Sequence, residues 1–343
     1  MKAAILRSGS MVVDEINDLT PGPGQVLVEP LACGICGSDL HTVDHAHELV
    51  DTARAANGDL FNFDPDQDLV MGHEMSVRVT GLGRGVDEIT EGQDYAAMPV
   101  LLTPQGRRIP GYDNTYPGGF AQQMLLSPQA LVPIPNGLDP KFAALTEPMA
   151  VGLHAVNQSS IRQGRSAVVV GAGPVGLAII GALSALGAGP IVAADLSPTR
   201  RRVAMQMGAD GVVDPTQASV FDQWVDLADG ATAPVIFEAV GVPGVIDQIM
   251  TDAPPQSEIV IVGVCMKPDS FRPTMGIYKR LRLTFVLGWS PEEFVTSLHN
   301  LADGHINAEP LITAEVSIDQ VPAAFVDLAD PERHVKILVR PDL

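Results

Sequence analysis

Residues 166–197, SAVVVGAGPVGLAIIGALSALGAGPIVAADLS, leave this chain little choice of fold. The run at 167–170 is apolar without alternation, the pattern of a parallel strand buried on both faces. Gly171-Ala-Gly-Pro-Val-Gly176 follows, then an apolar helical stretch that stops at Gly187. A second strand, 190–194, finishes at Asp195, 19 positions past the last glycine. GxGxxG alone is a weak signal. Opening a strand–helix–strand unit, with an acidic residue at this distance, it specifies a dinucleotide site.

The glycines have separate work: Gly171 permits the tight turn, Gly173 lets a pyrophosphate approach the backbone, and Gly176 lets helix and strand pack closely. The helix that opens at Pro174 and Val175 offers N–H donors and the positive end of its dipole. Asp195 can accept both hydroxyls of an adenosine ribose, and its charge repels a 2′-phosphate, which favours NAD over NADP. Arg200, Arg201 and Arg202 leave the opposite pairing open, because an arginine here can answer that phosphate.

Further strand–helix units follow: GADGVVDP after a basic helix, PVIFEAVG at 234–241 and EIVIVGV at 258–264. They imply a doubly wound parallel sheet continuing to about Gly288. The preceding residues, 1–147, read differently. Short alternating strands broken by Gly and Pro, as in TPGPGQVLVEPLACG and GGFAQQMLLSPQALVPIP, carry an all-β, barrel-like signature. After the parallel unit, SPEEFVTSLHNLADGHI has Ser290 as N-cap, Pro291 at the first helical position and Gly304 as stop. A last strand, HVKILVR, follows. At 343 residues the chain suits roughly two domains of ~150–200 residues.

Against 21 basic residues stand 41 acidic ones, a net charge of −20. Such a surface repels phosphate backbones and anionic bilayers, so neither nucleic acid nor membrane is an expected partner. No apolar run approaches the ~20 residues of a membrane span, and the first residues lack the h-region of a signal peptide. A cytoplasmic protein is expected. Cys33, Cys36 and Cys265 are the only cysteines, too few for an all-cysteine tetrahedral zinc site.

A nucleotide unit does not by itself say what chemistry is done. Three short stretches supply donors: CGSDLH with Cys36, Asp39 and His41; MGHEMS with His73 and Glu74; LTEPMAVGLHAV with Glu147 and His154. A catalytic zinc takes three protein ligands of N, S and O type and keeps one position open.

In its order CGSDLH, GHE, EP, GxGxxG and D, the chain resembles the zinc-dependent medium-chain dehydrogenase/reductase family of alcohol, polyol and threonine dehydrogenases. The resemblance covers nearly the whole chain. It implies an α/β protein with a GroES-like β-barrel catalytic domain over 1–147, a Rossmann doubly wound NAD-binding domain over 148–288, and a segment 289–343 completing the catalytic domain. It implies hydride transfer between an alcohol, or its carbonyl, and NAD(H), with the substrate oxygen on one catalytic Zn²⁺. The ligands implied are Cys36, His73 and Glu147, and Asp39 is the carboxylate that fixes the His73 tautomer. Ser38 and His41 correspond to the proton relay.

Charge balance places Glu74 beside the metal, or as a ligand that exchanges with water. Cys36 and Glu147 already neutralise Zn²⁺, and a further anion weakens its Lewis acidity. On the cofactor side the resemblance sets Val175 behind the nicotinamide, with Val240 and Val262 on nearby strand ends; of the three arginines, one or two, Arg200 among the candidates, lie along the adenine ribose or on a solvated helix face. Cys33 reads as a small buried bystander. A homodimer or homotetramer acting on a small-molecule alcohol is expected. The alternatives are a cofactor-retaining aldehyde dismutase and a non-catalytic NAD-binding protein.

The sequence departs from the family twice. Many relatives hold a structural zinc with four clustered cysteines before the GGFA strand; here YAAMPVLLTPQGRRIPGYDNTYPGGFA has none, so no structural zinc is expected. Between Cys36 and His73 the chain is also longer than usual. The extra DHAHELVDTARAANGDLFNFDPDQD has Asp44 as candidate N-cap, a helical pattern and an Asn57-Gly58 stop. Leu60, Phe61 and Phe63 either line a substrate pocket or pin the insertion to the barrel.

Overall fold

The computed structural model of the chain describes residues 1–58, 60–228 and 232–343. Among these described residues, packing divides the chain into two units: Met1–Glu147 with Ile312–Leu343, and Pro148–Leu311.

In the second unit, six described strands form one parallel sheet. They run in the order Gly211–Val213, Ile191–Ala194, Ala167–Val170, Val235–Glu238, Glu258–Ile261 and Arg282–Phe285. Winding reverses between Ala167–Val170 and Val235–Glu238, so the loop leaving Ala167–Val170 emerges at the switch point where such sheets take ligands. Apolar strand residues such as Val168, Val192, Ile236 and Ile259 are fully buried against Phe221 and Trp224 on one face. The Trp224 indole N–H reaches the Ser166 hydroxyl at 3.0 Å, so the largest aromatic of this core loses no hydrogen bond on burial.

Helix Pro174–Leu186 ends where Gly187 turns left-handed, at φ +71°. Helix Pro291–Ala302 begins with a capping box in which Ser290 and Glu293 satisfy each other's backbone N–H. The other Glu293 contacts are His154 Nδ1 at 2.8 Å and Asn157 Nδ2 at 2.8 Å, both on helix Thr146–Asn157. These contacts anchor Pro291–Ala302 in the parallel-sheet unit. The boundary therefore falls at 311/312 instead of 288/289, and only residues 312–343 return to the first unit.

In the first unit, the longest sheet path orders Ile312–Val316, Lys336–Val339, Val26–Gly34, Glu74–Leu82, Asp94–Ala97 and Leu131–Pro133, and Met124–Leu126 adds a further strand on Val26–Gly34. Val26, Val28, Val77, Val79, Met124 and Leu126 fill its core. The insertion folds as helix Gly37–Ala55, with a non-helical break at His45 and a left-handed Asn57 after it. The helix starts at Gly37 and not after Asp44, because Cys36 and Asp39 cap it reciprocally; Asp44 instead precedes the break. No helix among the described residues is long and apolar enough to cross a membrane.

Candidate active site

The glycine loop is shaped by space that side chains cannot occupy. Gly171 has φ +96°, and a Cβ there would lie 2.8 Å from the Ala239 carbonyl oxygen. At Gly176 a Cβ would lie 1.9 Å from the Gly171 oxygen, so helix Pro174–Leu186 closes on the strand end only with glycine in place. Beside Gly173 there is room, with an Arg200 Nη1 3.9 Å from where its Cβ would be. That opening suits an anion against helix N–H groups.

Asp195 stands where the motif requires it and accepts from Ala172 N at 2.7 Å and Ser197 N at 2.8 Å. The Arg200 Nε is buried without a hydrogen-bond partner, whereas Arg201 is spent on the Asp195 and Leu196 carbonyls. Val175 and Val262 are half-buried and Val240 is exposed. The buried Glu238 accepts from Val240 N and Gly241 N, both at 2.8 Å, and so fixes that loop.

The other cluster grows from three strand ends. Val26–Gly34 runs between its antiparallel neighbours, Gly34 opposite both Glu74 and Leu338. Its end delivers Cys36; the neighbour on one side starts at Glu74, just after His73, and the neighbour on the other starts at Lys336. Ligand atoms of Cys36, His73 and Glu74 all lie within 4.8 Å of one another. One thiol, one imidazole and one carboxylate form a donor set that suits zinc.

Asp39 serves two groups at once. Its Oδ2 accepts from Cys36 N at 2.9 Å, and its Oδ1 lies 3.5 Å from His73 Nδ1. Both of these facing atoms are buried and otherwise unpartnered. A proton on Nδ1, facing the carboxylate, leaves Nε2 with its lone pair for a metal. Burial opposes charge on His73, but Asp39 and Cys36 outweigh it and hold the imidazole pKa well above its usual range.

Glu74 lies in the cluster, but a group unforeseen in the sequence claims it. Lys336 Nζ donates to both carboxylate oxygens, at 2.8 and 2.7 Å, and to the Ile35 carbonyl at 3.0 Å. Both side chains are buried. Burial opposes the lysine's charge; Glu74, Cys36 and Glu147 overcome that, and its pKa rises. Gly34 makes room for the pair, since a Cβ there would lie 2.0 Å from Glu74 Oε2.

Glu147, in the first turn of helix Thr146–Asn157, is not one of the three clustered donors, yet its charge bears on both Lys336 and Tyr112. Cys33 is buried against Gly72 and Gly119, and burial raises its thiol pKa well above the usual range. His154 is engaged by Glu293 within the other unit.

A second residue unforeseen in the sequence is Tyr112. Its hydroxyl donates to Ser38 Oγ at 2.7 Å, and Ser38 Oγ lies 3.5 Å from His73 Nε2. His41 follows Ser38 on the same helix, half-buried, with its pKa lowered by burial and by His45. Lys336 leaves a faint signal, one charge opening an otherwise apolar strand. Tyr112 leaves none.

Two family models match the chain: "Alcohol dehydrogenase GroES-like domain" over residues 22–136 and "Zinc-binding dehydrogenase" over 174–303. The (R,R)-butanediol dehydrogenase of Bacillus subtilis (strain 168) is 31% identical, covering 96% of each chain. The L-idonate 5-dehydrogenase (NAD(P)(+)) of Escherichia coli (strain K12) is 30% identical over 91% of this chain and 90% of its own. Among solved structures, 2R,3R-butanediol dehydrogenase from Bacillus subtilis superposes with a TM-score of 0.85, at 30% identity and 99% coverage of both chains.

Proposed function

From the premise that this chain belongs to the zinc-dependent medium-chain dehydrogenase family, we propose that it is an NAD-dependent dehydrogenase of a primary or secondary alcohol, polyol or amino alcohol. The observation that carries the reading is the Cys36–His73 pair, with Asp39 behind the imidazole, in a chain that also holds a complete glycine loop.

Cys36, His73 and Glu147 would hold one zinc ion, whose Lewis acidity would make an alcohol easier to deprotonate. The third ligand is Glu147 and not Glu74, because both Glu74 oxygens are already committed to Lys336. Net charge agrees: the Glu74–Lys336 pair is neutral, and Cys36 and Glu147 supply the two negative charges that match the metal. Asp39 keeps the Nδ1 proton of His73 in place. Ser38 takes the proton of the substrate hydroxyl and passes it toward His41, whose lowered pKa leaves it neutral and able to accept at neutral pH.

The glycine loop and Asp195 would bind the dinucleotide, whose nicotinamide would supply the hydride chemistry. Asp195, already positioned by Ala172 N and Ser197 N, favours a ribose with free hydroxyls. The relative whose name includes both cofactors makes that preference worth measuring. Equal kcat/KM for NAD and NADP would sink it.

An assembly of two or four copies is supported by the exposed apolar residues Ile277, Tyr278, Phe285 and Leu287 around the edge strand Arg282–Phe285. Light scattering should return a mass above one chain. A cytoplasmic location goes with this reading. The decisive experiment is a screen of alcohols, polyols and amino alcohols for NADH formation, with zinc assayed on the same sample. No turnover in a sample holding about one zinc per chain would overturn the reading.

A further inference from the structure

Tyr112 is buried, charged groups surround it, and the reaction as outlined gives it no work. It comes from the cysteine-free lobe, not from a motif. Its ring lies 5.2 Å from the His73 ring and meets the edge of Phe61 at 4.8 Å and 79°, with Phe63 stacked at 6.4 Å. Phe61 and Phe63 belong to the insertion. The insertion is tied to the same lobe, because the Asn114 side chain accepts from Asp64 N and donates to the Asp64 and Asp68 carbonyls. Phe63 is buried and pins the insertion; Phe61 is half-buried and braces Tyr112. Two features that looked like separate departures thus converge on one phenol.

Among the described residues that phenol donates to Ser38 Oγ at 2.7 Å. A serine hydroxyl has one proton and two lone pairs. With Tyr112 donating into one lone pair, the serine proton is left to point elsewhere, and the second lone pair is left to receive. Tyr112 remains a donor because burial, followed by the charges of Asp39 and Cys36, keeps its phenol protonated far above neutral pH.

We propose that Tyr112 is a positioning residue for proton transfer: through its hydrogen bond to Ser38 it turns the free lone pair of the serine oxygen toward the substrate hydroxyl and the serine proton toward His41. In alcohol oxidation the carbon would give its hydride to NAD⁺ and the oxygen its proton to Ser38, which releases its own toward His41. Tyr112 keeps its proton throughout. Donation into Ser38 Oγ polarises the serine O–H and so eases release of its proton as the substrate's arrives. The insertion, by holding Phe61 against the ring, sets the direction of the phenol.

This inference rests on the reading of Ser38 as the proton's first stop, and the test separates the two. Tyr112→Phe keeps the ring and its aromatic contacts and removes only the hydroxyl. With the best alcohol from the screen and zinc-loaded enzyme, Y112F should lose about ten- to a hundredfold in kcat. KM should move less than about threefold, because ground-state binding is untouched. Zinc content and melting temperature should stay near wild type, and the D2O effect on kcat should rise as proton transfer becomes limiting.

The double variant S38A/Y112F should be no slower than S38A, since Tyr112 acts only through Ser38. If S38A itself is fully active, the relay reading fails and the Tyr112 role falls with it. If S38A is slow but Y112F matches wild type, or the double variant is slower than S38A, the Tyr112 inference alone fails. Y112F losing zinc along with activity also overturns it, in favour of a purely structural role. Replacing Tyr112 with 3-fluorotyrosine keeps shape and hydroxyl while strengthening donation. The D2O effect should then fall, and an unchanged value counts against the proposal.

Discussion

The glycine loop of one unit and the Cys36–His73 cluster of the other are built from different materials. Around the glycine loop the protein works mostly with main chain: turns, helix N–H groups and absent side chains, all within residues 171–176, with Asp195 as the principal charge. Around Cys36 and His73 it works with buried side-chain charge, brought together from positions 36, 39, 74, 147 and 336. Main-chain sites tolerate neighbours and fail only by steric intrusion. Charge-built sites fail when one partner goes, because the other is left buried and unanswered.

That contrast sets the scale of the expected damage. Lys336→Met leaves the Glu74 carboxylate buried without its partner and should cost about 3–5 kcal/mol in denaturant unfolding. Glu74→Leu combined with Lys336→Met should recover most of the loss; a double variant as unstable as the single one breaks the pairing argument. The pair also has a pH signature. The Lys336 pKa is raised on folding, so its stabilisation is complete below the ordinary lysine range and disappears as pH climbs through the raised value. The wild-type melting temperature should fall at strongly alkaline pH, and the double variant's should fall less.

Next in size is the metal. Glu147→Gln should weaken zinc binding by about a hundredfold or more, the loss of a charged ligand, while Glu74→Gln leaves about one zinc per chain. Zinc lost on Glu74→Gln and retained on Glu147→Gln reverses the assignment of the third ligand.

Gly176→Ala tests the main-chain half. Its Cβ would meet the Gly171 oxygen at 1.9 Å, so strand and helix must part. About 1–3 kcal/mol of overpacking strain should appear with roughly tenfold or greater loss of NADH affinity by fluorescence titration, and zinc content should be unaffected. The smallest effect belongs to Cys33→Ala, which removes a buried sulfur for about 1 kcal/mol with zinc unchanged. Loss of metal there contradicts its role as bystander.

The same contrast decides what could be read in the sequence. The glycine loop is local, and each of its constraints falls on a residue whose neighbours in space are neighbours in sequence, so strand, turn, helix and Asp195 were all legible. Cys36, Asp39 and His73 were legible through short motifs. Lys336 was not, because a lysine opening an apolar strand reads as a stem that reaches solvent; only the fold shows that Glu74 waits beside it. Tyr112 lies in a loop with no periodicity. The helix start at Gly37 escapes the sequence because a cysteine N-cap is not a usual start signal. The boundary at 311/312 escapes it too, because the pattern of helix Pro291–Ala302 says which face is apolar and not which core will receive it.

Glu74 and Lys336 are separated by 262 residues of chain, and the whole parallel-sheet unit lies between them. At ~5–20 residues per second, a ribosome needs roughly ten to fifty seconds to get from one to the other. For that interval the strand that starts at Glu74 carries a carboxylate whose permanent cation has not been made. The barrel therefore cannot settle its interior in the order in which it is synthesised. The nucleotide unit emerges complete while its partner is still waiting for one lysine.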